Sequence, residues 1–194
     1  MKLLADKLYQ LQLNQLHHDE RFHKEVVRLP VHQRINHMAL HFAKYSGQLA
    51  SEFITPSFSK EQRSKLIIDC FAIAISSVNI LNVRISDRLL SDSIADINGI
   101  PELAAFYAEE LVTTDKYWLL LQTASLSGKI AKACESLDHL EAYDYRENFL
   151  DGVIGLIKVY LAAAHTLDID IETALAERLL TVKKKSIFFE DLQH

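Results

Sequence analysis

His37 to Phe53 reads HMALHFAKYSGQLASEF and Trp118 to Cys134 reads WLLLQTASLSGKIAKAC; laid on one another, the segments pair Ser46 and Gly47 with Ser127 and Gly128, and Ala50 with Ala131. After connections that differ by one residue, Lys65 to Asp69 (KLIID) falls on Glu147 to Asp151 (ENFLD), each opening a strongly apolar run. A short polar turn and a shorter amphipathic segment follow in both places, around Ser86 to Ile97 and Asp168 to Lys183. The order and lengths of the segments repeat together, which marks an internal duplication of one helical unit.

Apolar residues recur at spacings of three and four almost throughout, and no stretch sustains the period-two alternation of a half-buried strand. The pattern predicts an all-α chain with helices at about 2–26, 31–54, 60–83, 87–97, 102–113, 115–138, 144–167 and 171–187. Pro30, Pro56 and Pro101 all fall between these segments, where proline can start or precede a helix. Ser59 and Gln62 have the spacing of a capping box. Asp170 and Glu172 put negative charge at the start of the last helix and Lys183, Lys184 and Lys185 put positive charge at its end, both favourable to the helix dipole. The organisation expected is an N-terminal helical extension over 1–30, a first repeat over 31–100 and a second over 101–194, packed as one compact domain.

With 49% hydrophobic and 24% charged residues the chain is of globular composition, long enough to bury a sizeable core. A net charge of −5 argues against binding a nucleic-acid backbone, which needs a basic surface. The most apolar runs, Leu66 to Val83 and Phe149 to Ala164, carry Asp69, Asn79 and Asn82 in one and Asp151 and Lys158 in the other. Both fall short of the ~20 clean apolar residues of a membrane span and read as core helices. No signal-peptide pattern follows Met1, Cys70 and Cys134 read as reduced core thiols, and a cytoplasmic location is expected.

From Arg146 to Leu175 the sequence RENFLDGVIGLIKVYLAAAHTLDIDIETAL resembles the second half of a MazG-type nucleotide pyrophosphohydrolase unit. In that family an acidic ExxD pair opens an apolar helix, which ends in a short turn before a final helix, and Leu167 to Glu172 (LDIDIE) is similar to that turn. Across both copies the resemblance covers about residues 32–185. It implies tandem helical hairpins forming a pseudo-twofold bundle, in which one polypeptide imitates a dimer, with further homo-oligomerisation expected. It also implies Mg²⁺-dependent hydrolysis of a nucleoside triphosphate to the monophosphate and pyrophosphate, with the ions held by an EExxE cluster on one helix and ExxD on the next. Mg²⁺ takes hard oxygen ligands, and acids three or four apart on facing helices converge on one point.

The acidic positions of that pattern are mostly replaced. With Gly47 and Gly128 as anchors, the glutamate positions are Lys44, Tyr45 and Gln48 in one copy and Ser125, Leu126 and Lys129 in the other. In ExxD the aspartates remain as Asp69 and Asp151, while Leu66 and Asn148 stand for the glutamates. Asp69 and Asp151, with Glu147 beside the second, are therefore the candidate metal ligands if the chain is catalytic; otherwise no cofactor is expected. A rescue by Glu135 and Asp138 with Glu147 and Asp151 crowds both pairs at one end of a hairpin. Lys44, Gln48, Lys129 and Lys158 are the candidate groups for binding a nucleotide or other small anionic ligand directly. The alternative is that Asp–Lys pairs fill the clefts and only hold the bundle together. An enzyme and a non-catalytic binding or regulatory module both stay open.

Three smaller patterns complete the search. His37 and His41 have the spacing of a two-histidine metal face, but Met38 stands where HExxH needs its glutamate. His18-Asp19 is the dipeptide of HD-type metal phosphohydrolases without their distant partners, and Glu20 to His23 is a single ExxH where a di-iron bundle needs two. No phosphate loop, dinucleotide turn or nucleophile elbow is present.

Overall fold

The computed structural model describes residues 2–55, 58–90, 94 and 96–185, and among these every regular element is a helix. The helices are α1 (Lys2–Phe22), α2 (Lys24–Val27), α3 (Val31–Ile54), α4 (Lys60–Ile80), α5 (Ser86–Leu89), α6 (Ile100–Leu111), α7 (Trp118–Asp138), α8 (Tyr145–Thr166) and α9 (Ile171–Lys183). The expected all-α bundle is what the chain forms.

Two helices make the centre. α8 is buried almost all the way round, from Phe149 and Leu150 to Ala164, and α4 is buried from Leu66 to Ile80 on most of its circumference. They pack against each other, and α3 packs against α7. α3 buries a narrow stripe of Ile35, Met38, Phe42, Tyr45 and Leu49, the three-four spacing that keeps one helical face inward. The outer helices complete the bundle: α1 lies on α4, α6 lies on α8, and α9 reaches α1, α4 and α6. α8 is also the one helix, among the described residues, long and apolar enough to cross a membrane, and 72% of its apolar window is buried inside the bundle. Cys70 and Cys134 are both buried free thiols.

The two serines aligned by the repeat meet where α3 crosses α7. Ser46 Oγ lies 3.2 Å from Ser127 Oγ. Each hydroxyl also reaches the carbonyl four residues back, Phe42 O at 3.0 Å and Thr123 O at 2.7 Å. Small side chains let the helices approach here; Gly152 and Gly155 do the same between α8 and α7, where an added Cβ would come within 2.7 Å of Ile130 Cγ1 and 2.8 Å of Leu126 Cδ2.

Helix ends follow their local chemistry. Ser59 and Gln62 form the reciprocal capping box, and Asp170 accepts from the backbone N–H groups of Glu172 and Thr173. α8 stops with Asp168 in the left-handed region (φ 56°), its N–H bonded to His165 O and that of Ile169 to Ala164 O. α7 stops the same way at Leu140 (φ 54°).

Two expected helices differ. The first breaks at His23 (φ −129°, ψ 44°), splitting the 2–26 segment into α1 and α2. The segment expected over 87–97 is an α-helix only at Ser86–Leu89, because Leu90 is extended; residues 91–93 and 95 lie outside the described residues.

α1 is fastened by Gln12, which is buried in the turn after α4. Its Nε2 donates to Val83 O at 2.6 Å and its Oε1 accepts from Ile85 N at 3.0 Å. Both ends of a buried amide are thereby satisfied, so the helix is held at one register.

Candidate functional site

A cavity of about 670 Å³ lies between α1, α3, α4 and α9. Of the candidate metal- and anion-binding residues it brings together Lys44, Gln48 and Asp69, all from the first copy, with His41 beside them; Lys129, Lys158, Glu147 and Asp151 do not line it. Further wall comes from α1, through Gln15, His18 and Asp19, from His23, and from Arg178 and Leu179 of α9. α1, expected from the sequence as an N-terminal extension, therefore lines the cavity.

Asp69 is fully committed to cations. Arg178 of α9 grips it with two nitrogens, Nε on Oδ1 and Nη2 on Oδ2 at 3.2 Å, and Lys65 reaches Oδ2 at 2.9 Å. Both side chains of the Asp69–Arg178 pair are more than four-fifths buried, so the bidentate geometry is little diluted by water. The pair joins positions 109 residues apart, which no local motif announces.

Lys44 is placed differently. Among the described residues no carboxylate comes within 4.0 Å of it; its Nζ donates to His41 Nδ1 at 3.1 Å and lies 4.2 Å from the centre of the Tyr45 ring. A lysine ammonium can only donate, so His41 Nδ1 must be the bare nitrogen and its proton sits on Nε2, which faces His37 Nε2 at 3.1 Å. Burial, helped by the charges of Lys44, His37 and His23, pushes the His41 pKa down to about 4. The His37/His41 pair is thus a hydrogen-bonded relay ending on a cation. Around the cavity, Lys44, Lys65 and Arg178 face Asp19 and Asp69, so one positive charge is in surplus in a chain whose net charge is −5.

The second-copy residues lie elsewhere. Lys129 pairs with Asp151 at 3.2 Å, with both side chains more than a third exposed. Glu147 pairs with Arg88 at 2.9 Å, and Glu135 with Lys132 at 3.1 Å. Lys158 stands over the Tyr107 ring at 5.3 Å, and Tyr107 donates its hydroxyl proton to Leu89 O at 3.0 Å.

These residues do not fit Mg²⁺. That ion needs several oxygen ligands around one point, and Asp69 is the one carboxylate on the α3–α4 side of the cavity, with both oxygens held by cations. Among the described residues a single group of three or more His, Cys, Asp or Glu side chains converges, His18, Asp19 and His23, with ligand atoms within 4.8 Å of one another. Nothing in that group belongs to the positions the family resemblance points to. Comparison with protein-family models, with curated proteins and with solved structures finds no match.

Proposed function

We propose that this chain is a helical module that binds a small phosphate-bearing anion, such as a nucleotide, in the cavity between α1, α3, α4 and α9, on a MazG-like frame that has lost its magnesium chemistry. The observation that carries the reading is Lys44, a cation with no carboxylate partner among the described residues, which stands where the family has a glutamate and faces a cavity with surplus positive charge. A carboxylate there would attract a metal ion; a lysine attracts the phosphate itself. Gln48, one turn further along α3, adds an amide that can donate to a phosphate oxygen.

The tandem reading draws support from recurring contacts. α1 lies on α4 as α6 lies on α8, and the last helix of each half packs on the long helix of the other, α9 on α4 and α5 on α8. His18 of α1 bonds the carbonyl of Leu179 on α9, while Tyr107 of α6 bonds that of Leu89 on α5. On this reading α1 is the counterpart of α6, with Tyr107, 2% exposed, in the place of His18.

Binding is favoured over cleavage because the acids that would hold the ion are replaced or already neutralised. The test is a panel of nucleoside triphosphates, assayed for heat of binding with and without Mg²⁺ and for pyrophosphate release. Binding without Mg²⁺ and without release is expected. Release that Asp151→Asn abolishes would establish an enzyme instead, and no heat from any phosphate compound would sink the proposal.

A further inference from the structure

We infer that His18, Asp19 and His23 form a site for a single borderline transition-metal ion, Zn²⁺ or one of its neighbours, on the α1 wall of the cavity. Two imidazoles and one carboxylate are a donor set such ions favour, and the ligand atoms already lie within 4.8 Å of one another. His18 Nδ1 and Asp19 Oδ1 are 3.8 Å apart, against the roughly 3.3–3.5 Å edge of a tetrahedron drawn with ordinary Zn–N and Zn–O bonds. The two imidazole rings are 5.3 Å apart between centroids, close to the roughly 5.2 Å that two ring ligands at a tetrahedral angle would show.

The break in the first helix assembles this set. In an unbroken helix residues five apart point about 140° away from each other. The turn of the backbone at His23 brings its ring back onto that of His18.

Supporting contacts orient each ligand as metal sites require. His18 is 8% exposed, and its Nε2 donates to Leu179 O at 3.2 Å, which puts the lone pair on Nδ1; that atom is buried and has no hydrogen-bond partner. Asp19 is held by the Ser76 hydroxyl at 2.5 Å and the Gln15 amide at 2.9 Å. Glu25 Oε1 lies 3.5 Å from His23 Nδ1. Three protein ligands leave a coordination position for water or an anionic group. The site does not rest on anion binding by Lys44, and either can fail alone.

The experiment titrates the full chain, freed of metal, with Zn²⁺ by calorimetry and with Co²⁺ by visible absorption, with Mg²⁺ as the comparison ion. One equivalent of Zn²⁺ should bind with a Kd of about 1 μM or tighter, Co²⁺ should give an absorption band, and Mg²⁺ should give no signal. His23→Ala, at a partly exposed position that tolerates truncation, should weaken Zn²⁺ at least ~tenfold. Asp19→Asn, which keeps an acceptor for Ser76, should do the same, and His139→Ala, at an exposed position away from the cavity, should leave the affinity unchanged. Absence of Zn²⁺ binding, affinity that both His23→Ala and Asp19→Asn leave intact, or loss on His139→Ala would each overturn the site.

Discussion

Arg178→Ala removes the contact that fastens α9 to α4, and its cost can be bracketed from the burial of the pair. Exposed ion pairs are worth about 0–1 kcal/mol, while removing one partner of a fully buried pair costs about 3–5 kcal/mol. Arg178 and Asp69 are 19% and 16% exposed, and Lys65 remains on Asp69 Oδ2 after the substitution. The expected loss is therefore about 2 kcal/mol, or a fall in Tm of roughly 4–8 °C for a chain of this size. The assay is reversible urea or thermal unfolding of four proteins: the wild type, Arg178→Ala, Asp69→Asn and the double variant. If Arg178 acts through the charge of Asp69, the double variant should be destabilised by about 1 kcal/mol or more less than the sum of the singles. Additive effects within about 0.5 kcal/mol, or an Arg178→Ala protein that melts with the wild type, would refute the claim that this pair fastens α9 to α4.

Gly152→Ala should destabilise by about 1–3 kcal/mol despite the better helix propensity of alanine, because its Cβ would sit 2.7 Å from the buried Ile130 side chain; thermal melts check the sign. Leu140→Gly should stabilise by about 0.5–1 kcal/mol, since Leu140 is 88% exposed and its left-handed backbone costs a side chain more than it costs glycine. For His41 the folded pKa of about 4 lies below the unfolded value of 6.5, so the unfolded chain takes up the proton first as pH falls. Its contribution to stability should be complete above pH 6.5 and lost on descending through pH 4, and His41→Gln should flatten the stability profile over that window.

Much of the frame could be read from sequence because its signals are local. The Ser59/Gln62 box, the Asp170 cap and the prolines that bracket the helices act within a turn or two, and the three-four stripe from Ile35 to Leu49 states which face of α3 is buried. Lys44 and Asp69, candidates from the aligned sequence pattern, both line the cavity, Asp69 already paired with Arg178 and Lys65. What escaped was set by tertiary packing. Nothing near Arg178 says that its partner is Asp69 on α4, and the first helix looks continuous through His23 although the chain breaks there. His18, Asp19 and His23 are fragments of two motifs whose other partners the sequence lacks at motif spacings, and it is the helix break that brings the fragments onto each other. Asp69 and Asp151 hold the same position in the repeat but differ in setting: Asp69 is mostly buried beside the cavity, and Asp151 pairs with Lys129 on an exposed surface.

The most direct test of the central claim is calorimetric titration of the full chain with pyrophosphate in magnesium-free buffer, for the wild type and for Lys44→Ala. If the cavity recognises phosphate through Lys44, the wild type binds, and truncation weakens it roughly tenfold or more, as expected for losing a hydrogen bond to a charged group. Unchanged affinity in Lys44→Ala, or binding that appears only when Mg²⁺ is added, would contradict it.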